Sequence, residues 1–292
     1  MKSQLLFLLV KGIVRVFSWL SVSHMRILAR LLSKCLIKVN SRTYRTTRSN
    51  IRHCFPNMNE VEQRSLIEES VYHFCCRFTE LGICWYWRDN AIQQAIVEVR
   101  GMTQLEEHLE KFPVILLVPH LGLWELNSFI LGPTIPTTVL YSARRLGPLE
   151  SKVKETRERF GLTLVNSSIS GLRRLLSEVE VGRLALILPD QVPIEGRCMI
   201  APFFGNPALT TTLIYSLLQR KTCKVCSLVV KRVPKGFEVH IDAVSSDIYA
   251  PDRETSVQAM NDAVEQLVRR SPEQYQWEYK RFRRIPGQDI YA

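Results

Sequence analysis

Acidic residues are absent from the first 59 positions of the 292-residue sequence, and eleven lysines and arginines precede the first acid, Glu60. The whole chain holds 39 basic and 28 acidic residues, so the remainder has 28 of each. The formal net charge of +11 therefore belongs to the N-terminal segment. Such a segment predicts a polyanionic partner, which could be nucleic acid, an anionic membrane surface, an acidic protein or a phosphorylated substrate.

Internal repeats, low-complexity tracts and long linkers are also missing. The chain is 46% hydrophobic and 23% charged, which excludes a disordered chain. The lack of several long apolar runs excludes a polytopic membrane protein. A chain of this length can bury a sizeable core, and we expect one main domain.

The eight cysteines lack the spacing of a metal or disulfide framework. Cys223 and Cys226 form one C-x-x-C pair without a second pair at zinc-finger spacing, and His73, Cys75 and Cys76 lie in an apolar helical stretch. No small-residue cleavage site follows the N-terminal apolar segment, which favours a reducing, cytosolic environment over export. We therefore predict that these residues are small buried side chains and that there is no metal site.

The N-terminal segment predicts contact with a membrane. An apolar run, interrupted by Lys11 and Arg15, extends to Leu20. A spanning helix needs about 20 mostly apolar residues, so the two charges favour an in-plane or shallowly inserted helix. A single membrane-spanning helix is an alternative if the two charged side chains reach the membrane interface or face other parts of the protein.

A basic amphipathic helix should follow, because cations recur every four residues with apolar residues between them. They are Arg26, Arg30, Lys34, Lys38 and Arg42. We predict that residues 1–45 associate with anionic lipid headgroups, and that a span, if present, would leave the body in the cytoplasm. Nucleic acid is the weaker alternative, since no recognisable nucleic-acid-binding module accompanies the bases.

The rest of the chain, residues 46–292, alternates between strand and helix patterns. Apolar runs predict strands at 114–118, 138–141, 184–188 and 225–230, and period-two alternation predicts one nearer an edge at 237–241. Helical patterns cover 60–87, capped by Asn57 or Asn59, and 148–160, 169–180, 207–220 and 254–270. This succession predicts an α/β domain with a mixed, mostly parallel sheet flanked by helices.

Candidate catalytic residues follow two of the predicted strands. Ligands bind at the carboxyl ends of the strands in open α/β sheets, so residues at these positions are candidates for a functional site. His120 follows the first apolar run and Glu125 lies five residues on, with Pro119 and Gly122 favouring a turn between them. A histidine can take a proton from a hydroxyl while a carboxylate holds its other ring nitrogen, which suits acyl transfer to an alcohol. Asp190 ends another strand.

Several motifs in combination resemble the late acyltransferases of bacterial lipid A biosynthesis, a branch of the wider glycerolipid acyltransferase group. They are Asn50–Pro56, His120-x4-Glu125, Leu-Pro-Asp-Gln at 188–191, Pro-Phe-Phe-Gly at 202–205 with the following threonines, and Pro272–Phe282. The resemblance spans most of the chain in the order of the family. It implies an enzyme of the bacterial inner membrane with its active site on the cytoplasmic face.

The resemblance also implies roles for individual residues. His120 would be the general base and Glu125 its orienting partner, while Arg159 would meet a lipid phosphate and Asp190 would line the same site. Relatives commonly carry Tyr-Arg-Pro after the second core strand, where this chain has Arg144 and Arg145. Either arginine could replace that of the family.

The implied reaction moves a fatty acyl chain from acyl-acyl carrier protein, or from acyl-CoA, to a hydroxyl of a phosphorylated glycolipid. A thioester donor is already activated, so we expect no cofactor, metal or covalent enzyme intermediate. One alternative is an acyltransferase that acts on another lipid acceptor, either a lysophospholipid or a glycosylated lipid. The others are a membrane-docked hydrolase and a non-catalytic lipid-binding protein.

Overall fold

The computed structural model describes residues 2–141, 149–181, 183–193 and 198–291. Within them the helices are α1 (Lys2–Phe17), α2 (Val22–Lys38), α3 (Arg42–Cys54), α4 (Glu60–Tyr86), α5 (Asp89–Ala95), α6 (Met102–Leu109), α7 (Asn127–Leu131), α8 (Glu150–Arg159), α9 (Ile169–Glu180), α10 (Leu213–Leu218) and α11 (Arg253–Arg270). The strands are β1 (Ile96–Arg100), β2 (Val114–Leu117), β3 (Thr137–Tyr141), β4 (Thr163–Asn166), β5 (Leu184–Ile187), β6 (Cys198–Phe203), β7 (Asn206–Thr211), β8 (Lys224–Val233) and β9 (Gly236–Ala243).

In the part of the chain that the structure describes, seven strands form the central sheet, in the order β1-β9-β8-β2-β5-β3-β4. Strands β8, β2, β5, β3 and β4 are parallel, whereas β9 is antiparallel to β8 and parallel to β1. The prediction of a mixed, mostly parallel sheet flanked by helices is thereby confirmed. Strands β6 and β7 form a separate antiparallel hairpin.

The centre of the sheet is buried on both faces, which explains why its strands are apolar runs instead of alternating patterns. Leu116 of β2 packs in one core cluster, whereas Ile115 and Leu117 pack in another, as expected from the alternation of side chains along a strand. Six of the eight cysteines are buried as predicted, including Cys223 and Cys226, whereas Cys198 is half-buried and the prediction is wrong for Cys35, which is exposed.

The helix predicted over 207–220 is wrong in its first half. Residues Asn206–Thr211 form β7, and the helix occupies only Leu213–Leu218. Phe204 and Gly205, with φ of 51° and 71°, connect β6 to β7. Two consecutive residues with positive φ produce the tight turn that closes a two-residue hairpin, and the β-branched threonines that follow favour a strand.

Helix α4 is the support for the N-terminal helices. Asn59 caps it in a reciprocal capping box with Glu62, which confirms one of the two predicted caps. Gly82 lets α1 approach closely, since a Cβ there would lie 2.9 Å from the carbonyl oxygen of Val14. The N-terminal helices therefore pack directly on the body of the protein.

A buried carboxylate ties α2, α4 and β8 together. Glu80 is fully buried and accepts hydrogen bonds from Arg26 Nε at 3.1 Å and Arg232 Nε at 2.5 Å. Arg26 also donates to the carbonyl oxygen of Gly236 at 2.9 Å. Part of the positive charge of α2, that of Arg26, is therefore paired with a carboxylate inside the fold.

The orientation of α2 differs from the prediction that its cations share one face exposed to lipid. Arg26 pairs with Glu80, and Arg30 makes a bidentate pair with Glu69 of α4. Ile27 and Leu31 point outward instead, with 60% and 56% of their surface exposed. The cause is the set of acidic partners on α4, which draws the arginines inward.

Apolar side chains lie exposed on the outer sides of α1, α2 and the turn between them. They are Leu8, Leu9, Val16, Trp19, Ile27 and Leu31. Across the described ranges, the structure contains no helix whose length and apolar character would allow it to cross a membrane.

Replacing Glu80 by alanine should strongly destabilise the protein. The change leaves Arg26 and Arg232 buried without their carboxylate, and breaking a buried ion pair from one side typically costs about 3–5 kcal/mol. Thermal unfolding of the purified protein measures the effect. The control is Glu68→Ala, which removes an exposed pair with Arg64 and should leave the melting temperature nearly unchanged. Equal melting temperatures for both variants would contradict the structural role of Glu80.

Candidate functional site

The carboxyl ends of β2 and β5 bring His120 and Asp190 together. The two strands are neighbours and parallel, so the segments that leave them emerge at the same edge of the sheet. His120 Nδ1 lies 2.8 Å from Asp190 Oδ1, and the backbone N–H of His120 donates to Asp190 Oδ2 at 2.8 Å. Both carboxylate oxygens are thus engaged by one residue, which fixes the imidazole ring.

The turn after His120 depends on Gly122. Its φ is 65°, and a Cβ at this position would lie 1.9 Å from the carbonyl oxygen of Val230. Only glycine fits here without displacing β8. The Gly122 N–H donates to Gln274, and the next N–H, that of Leu123, donates to Val230. The predicted turn is confirmed, and these bonds anchor it to the sheet and to residues 272–275.

Asp190 is charged despite its burial, with 3% of its surface exposed. Burial by itself raises the pKa of a carboxyl group, but the charge of His120 and the hydrogen bonds from its ring and backbone outweigh this effect. The pKa of Asp190 therefore lies below its ordinary value of 3.8. With an ionised carboxylate as partner, the neutral form of His120 carries its proton on Nδ1, and the lone pair is then on Nε2.

The other ring nitrogen of His120 faces two glutamines. Gln191 Nε2 lies 3.1 Å from His120 Nε2 and donates to Gln276 Oε1 at 2.9 Å. The ring of Trp124 packs edge-on against the imidazole, with centroids 5.0 Å apart. His120 is consequently held on three sides.

Glu125 has a different partner from the one expected. Its two carboxylate oxygens accept from Arg157 Nη2 at 2.8 Å and Arg157 Nε at 3.2 Å, while Asp190 takes the position at His120 Nδ1. The reason is that Glu125 lies in the 3-10 turn Trp124–Leu126, facing α8.

A small cleft adjoins this turn. Its lining residues are Trp124, Glu125, Asn127, Ser128, Val139, Arg157, Leu162, Leu186 and Leu188. It therefore combines an apolar wall, built by strand residues and their neighbours, with one buried ion pair.

Arg159 lies at the end of α8 and points away from Arg157. Its guanidinium donates to Asp89 Oδ1 at 2.8 Å and to the carbonyl oxygen of Trp87 at 2.9 Å, and 36% of its side chain is exposed. Arg144 and Arg145, the other predicted phosphate contacts, lie outside the described residues.

Comparison with known proteins identifies the family. The sequence model of the family of bacterial lipid A biosynthesis acyltransferases matches residues 1–284. The chain belongs to this family. It is 24% identical over 262 residues to a lipid A biosynthesis lauroyltransferase of Escherichia coli, covering 87% of this chain and 84% of the relative. It is 25% identical to a palmitoleoyltransferase of the same organism, covering 82% and 78%, and 25% identical to a myristoyltransferase, covering 82% and 75%.

Three residues of the candidate site received no role in the sequence analysis. Gln191 follows Asp190 directly, so its place at a strand end was a usable signal. Arg157 precedes Arg159 by two positions and therefore lies on another side of α8. Gln276 lies within the Pro272–Phe282 motif, but no local pattern predicts its contact with Gln191, which is 85 residues away in the chain.

The pairing of Asp190 with His120 predicts a pH-dependent stability. A carboxyl group whose pKa is lower in the folded than in the unfolded protein stabilises the folded state at pH values above the unfolded-state pKa. This contribution is lost as the pH falls through the folded-state pKa. Asp190→Asn should therefore lower the melting temperature of the acyltransferase at neutral pH, and the difference from wild type should narrow below about pH 4. A buried substitution without charge, Leu186→Ala, serves as the control. A deficit of Asp190→Asn that stays constant with pH would contradict the assignment.

Proposed function

We propose that this protein transfers a fatty acyl chain from a thioester donor, acyl-acyl carrier protein or acyl-CoA, to a hydroxyl of a phosphorylated glycolipid that is a lipid A precursor. The observation that carries the proposal is the His120–Asp190 pair at the sheet edge, in a chain of the lipid A acyltransferase family. The names of the relatives, which denote three different acyl groups, support a fatty acyl chain as the transferred group.

His120 acts as the general base in this proposal. Its Nε2 accepts the proton of the acceptor hydroxyl, the oxygen attacks the thioester carbonyl, and the proton then leaves with the thiol. Asp190 holds the ring in the required tautomer and stabilises the imidazolium that forms, as a carboxylate does for histidine in hydrolytic triads. This role replaces the one first expected for Glu125.

Glu125 and Arg157 form the polar part of the cleft. Their side chains are 18% and 11% exposed, so the ion pair is largely shielded from water. We assign Glu125 to holding the Arg157 guanidinium in the cleft, and we assign that guanidinium to the carbonyl oxygen of the bound thioester. Positive charge at this place favours the negative charge that develops on the thioester oxygen.

The apolar wall of the cleft suits a fatty acyl chain. Val139, Leu162, Leu186 and Leu188 supply the hydrocarbon contacts, and a buried methylene group gains about 0.8 kcal/mol. Arg159, on the outer side of α8, is assigned to a phosphate of the acceptor, since a partly exposed guanidinium can bind phosphate in a bidentate manner.

Acyl transfer should depend on His120. His120→Ala should reduce transfer of labelled acyl groups to a tetra-acylated lipid A precursor by about 10²–10⁴-fold, the range expected for loss of a general base. The measurement is thin-layer separation of labelled lipid after incubation with acyl-acyl carrier protein or acyl-CoA. His108→Ala, in α6, is the matched control.

Each alternative has its own result in this assay. Label released as free fatty acid in place of lipid product would identify a hydrolase. Lipid binding without either reaction would identify a non-catalytic protein. Undiminished transfer by His120→Ala would refute the mechanism, and transfer to a lysophospholipid alone would change the acceptor.

The exposed apolar residues of α1 and α2 form the proposed membrane-contacting surface, defined by Leu8, Leu9, Val16, Trp19, Ile27 and Leu31. Lys11 and Arg15 are exposed on α1, and Lys34 and Lys38 are exposed on α2. Apolar side chains beside cations are the composition that binds the interface of an anionic bilayer. Through this surface we assign the protein to the cytoplasmic face of the bacterial inner membrane, with anionic lipid headgroups as its partner.

Two charge substitutions should weaken membrane binding. Leu9→Glu combined with Ile27→Glu should reduce co-sedimentation with phosphatidylglycerol vesicles, because each buries a carboxylate in the interface and repels anionic headgroups. Val61→Glu combined with Val181→Glu is the control, since both valines are exposed by more than 70% and lie outside the surface. Equal binding of the two double variants would contradict the proposed surface.

A further inference from the structure

We infer that Gln191, held by Gln276, caps Nε2 of His120 in the resting protein, so that the base acts on a lipid hydroxyl in preference to water. The inference deepens the proposed function and rests on it, since it requires His120 to be the base. Gln191 is thereby a residue that determines specificity between two acyl acceptors.

The hydrogen-bond geometry indicates that Gln191 is the donor and His120 the acceptor in this contact. In the neutral form of His120, which is the form that acts as a base, Nδ1 donates to Asp190, so Nε2 carries a lone pair and can only accept. The amide nitrogen of Gln191 has two hydrogens. One is donated to Gln276 Oε1 at 2.9 Å, which leaves the other for His120 Nε2 at 3.1 Å.

The backbone on both sides of this contact is fixed. Asp190 is held by the backbone N–H of His120, and the N–H of Val192 donates to Tyr279 Oη at 3.0 Å. Gln276 lies between Tyr275 and Trp277, which are exposed by only 4% and 2%. A displacement of the cap is therefore a movement of the Gln191 side chain against that of Gln276.

The cap occupies the position that the reacting hydroxyl must take. A proton donor has to come within about 2.6–3.2 Å of Nε2, which is the distance of the Gln191 nitrogen. A lipid hydroxyl can displace it, because the rest of the lipid supplies binding energy. A water molecule has no such additional contacts.

Both reactions balance in the same way. The hydroxyl proton moves to Nε2, the oxygen bonds to the acyl carbon, the C–S bond breaks, and the proton passes to the thiolate to give the thiol. A lipid hydroxyl yields an ester, whereas water yields a free fatty acid.

The test is the ratio of thioester hydrolysis to acyl transfer, measured with lauroyl, myristoyl and palmitoleoyl thioesters and a tetra-acylated lipid A precursor. Gln191→Ala should raise this ratio about two- to tenfold, the effect of losing one neutral hydrogen bond. Gln276→Leu should raise it less, because Gln191 remains but loses its support. Gln94→Ala, an exposed glutamine of α5, should leave the ratio unchanged.

An unchanged or lower ratio in Gln191→Ala would overturn the inference. So would loss of both reactions in a variant with a normal melting temperature, because Gln191 would then take part in the chemistry itself. As an independent measurement, the ¹⁵N resonance of His120 Nε2 should move in Gln191→Ala, and an unmoved resonance also overturns the cap. Failure of the proposed function would be seen separately, as absence of transfer by the wild type or full transfer by His120→Ala.

Discussion

The parallel pairing of β2 with β5 is the constraint on which the site depends. Ile115, Leu116 and Leu117 pair with Ala185, Leu186 and Ile187, so the two strands end level with each other. The next residues of each segment then reach the same edge, where Asp190 meets both the ring and the backbone of His120. A slip in this register would separate the pair, and burial of both strands on two faces opposes such a slip.

The buried Glu80 network has a comparable influence on the N-terminal helices. Arg26 and Arg232 reach one carboxylate from α2 and β8, which fixes the rotation of α2 about its axis. This rotation places Ile27 and Leu31 outward beside the exposed lysines. The same contacts that stabilise the fold thus create the surface that we assign to the membrane.

The long apolar elements were predictable because burial on both faces of a sheet leaves a continuous hydrophobic run, as in β2, β5 and β8. Helix α11 and the capped start of α4 were predictable for similar local reasons. The β6–β7 hairpin was missed because its signal is a two-residue turn at Phe204 and Gly205, followed by a short strand that contains Pro207. The edge strands β1 and β4 contain only five and four residues, too few to produce a clear periodic pattern.

The sequence by itself determined the segregation of charge, the α/β class, the family resemblance, and the candidate status of His120 and Asp190 as strand-end residues. Tertiary structure decided which carboxylate holds His120, which arginine pairs with Glu125, and which side of α2 faces outward. The physical reason is that periodicity assigns side chains to faces within one helix or strand, whereas pairing between elements depends on strand adjacency and helix rotation. Those are properties of the packed sheet and its helices, and the partners Asp190 and His120 are 70 residues apart in the chain.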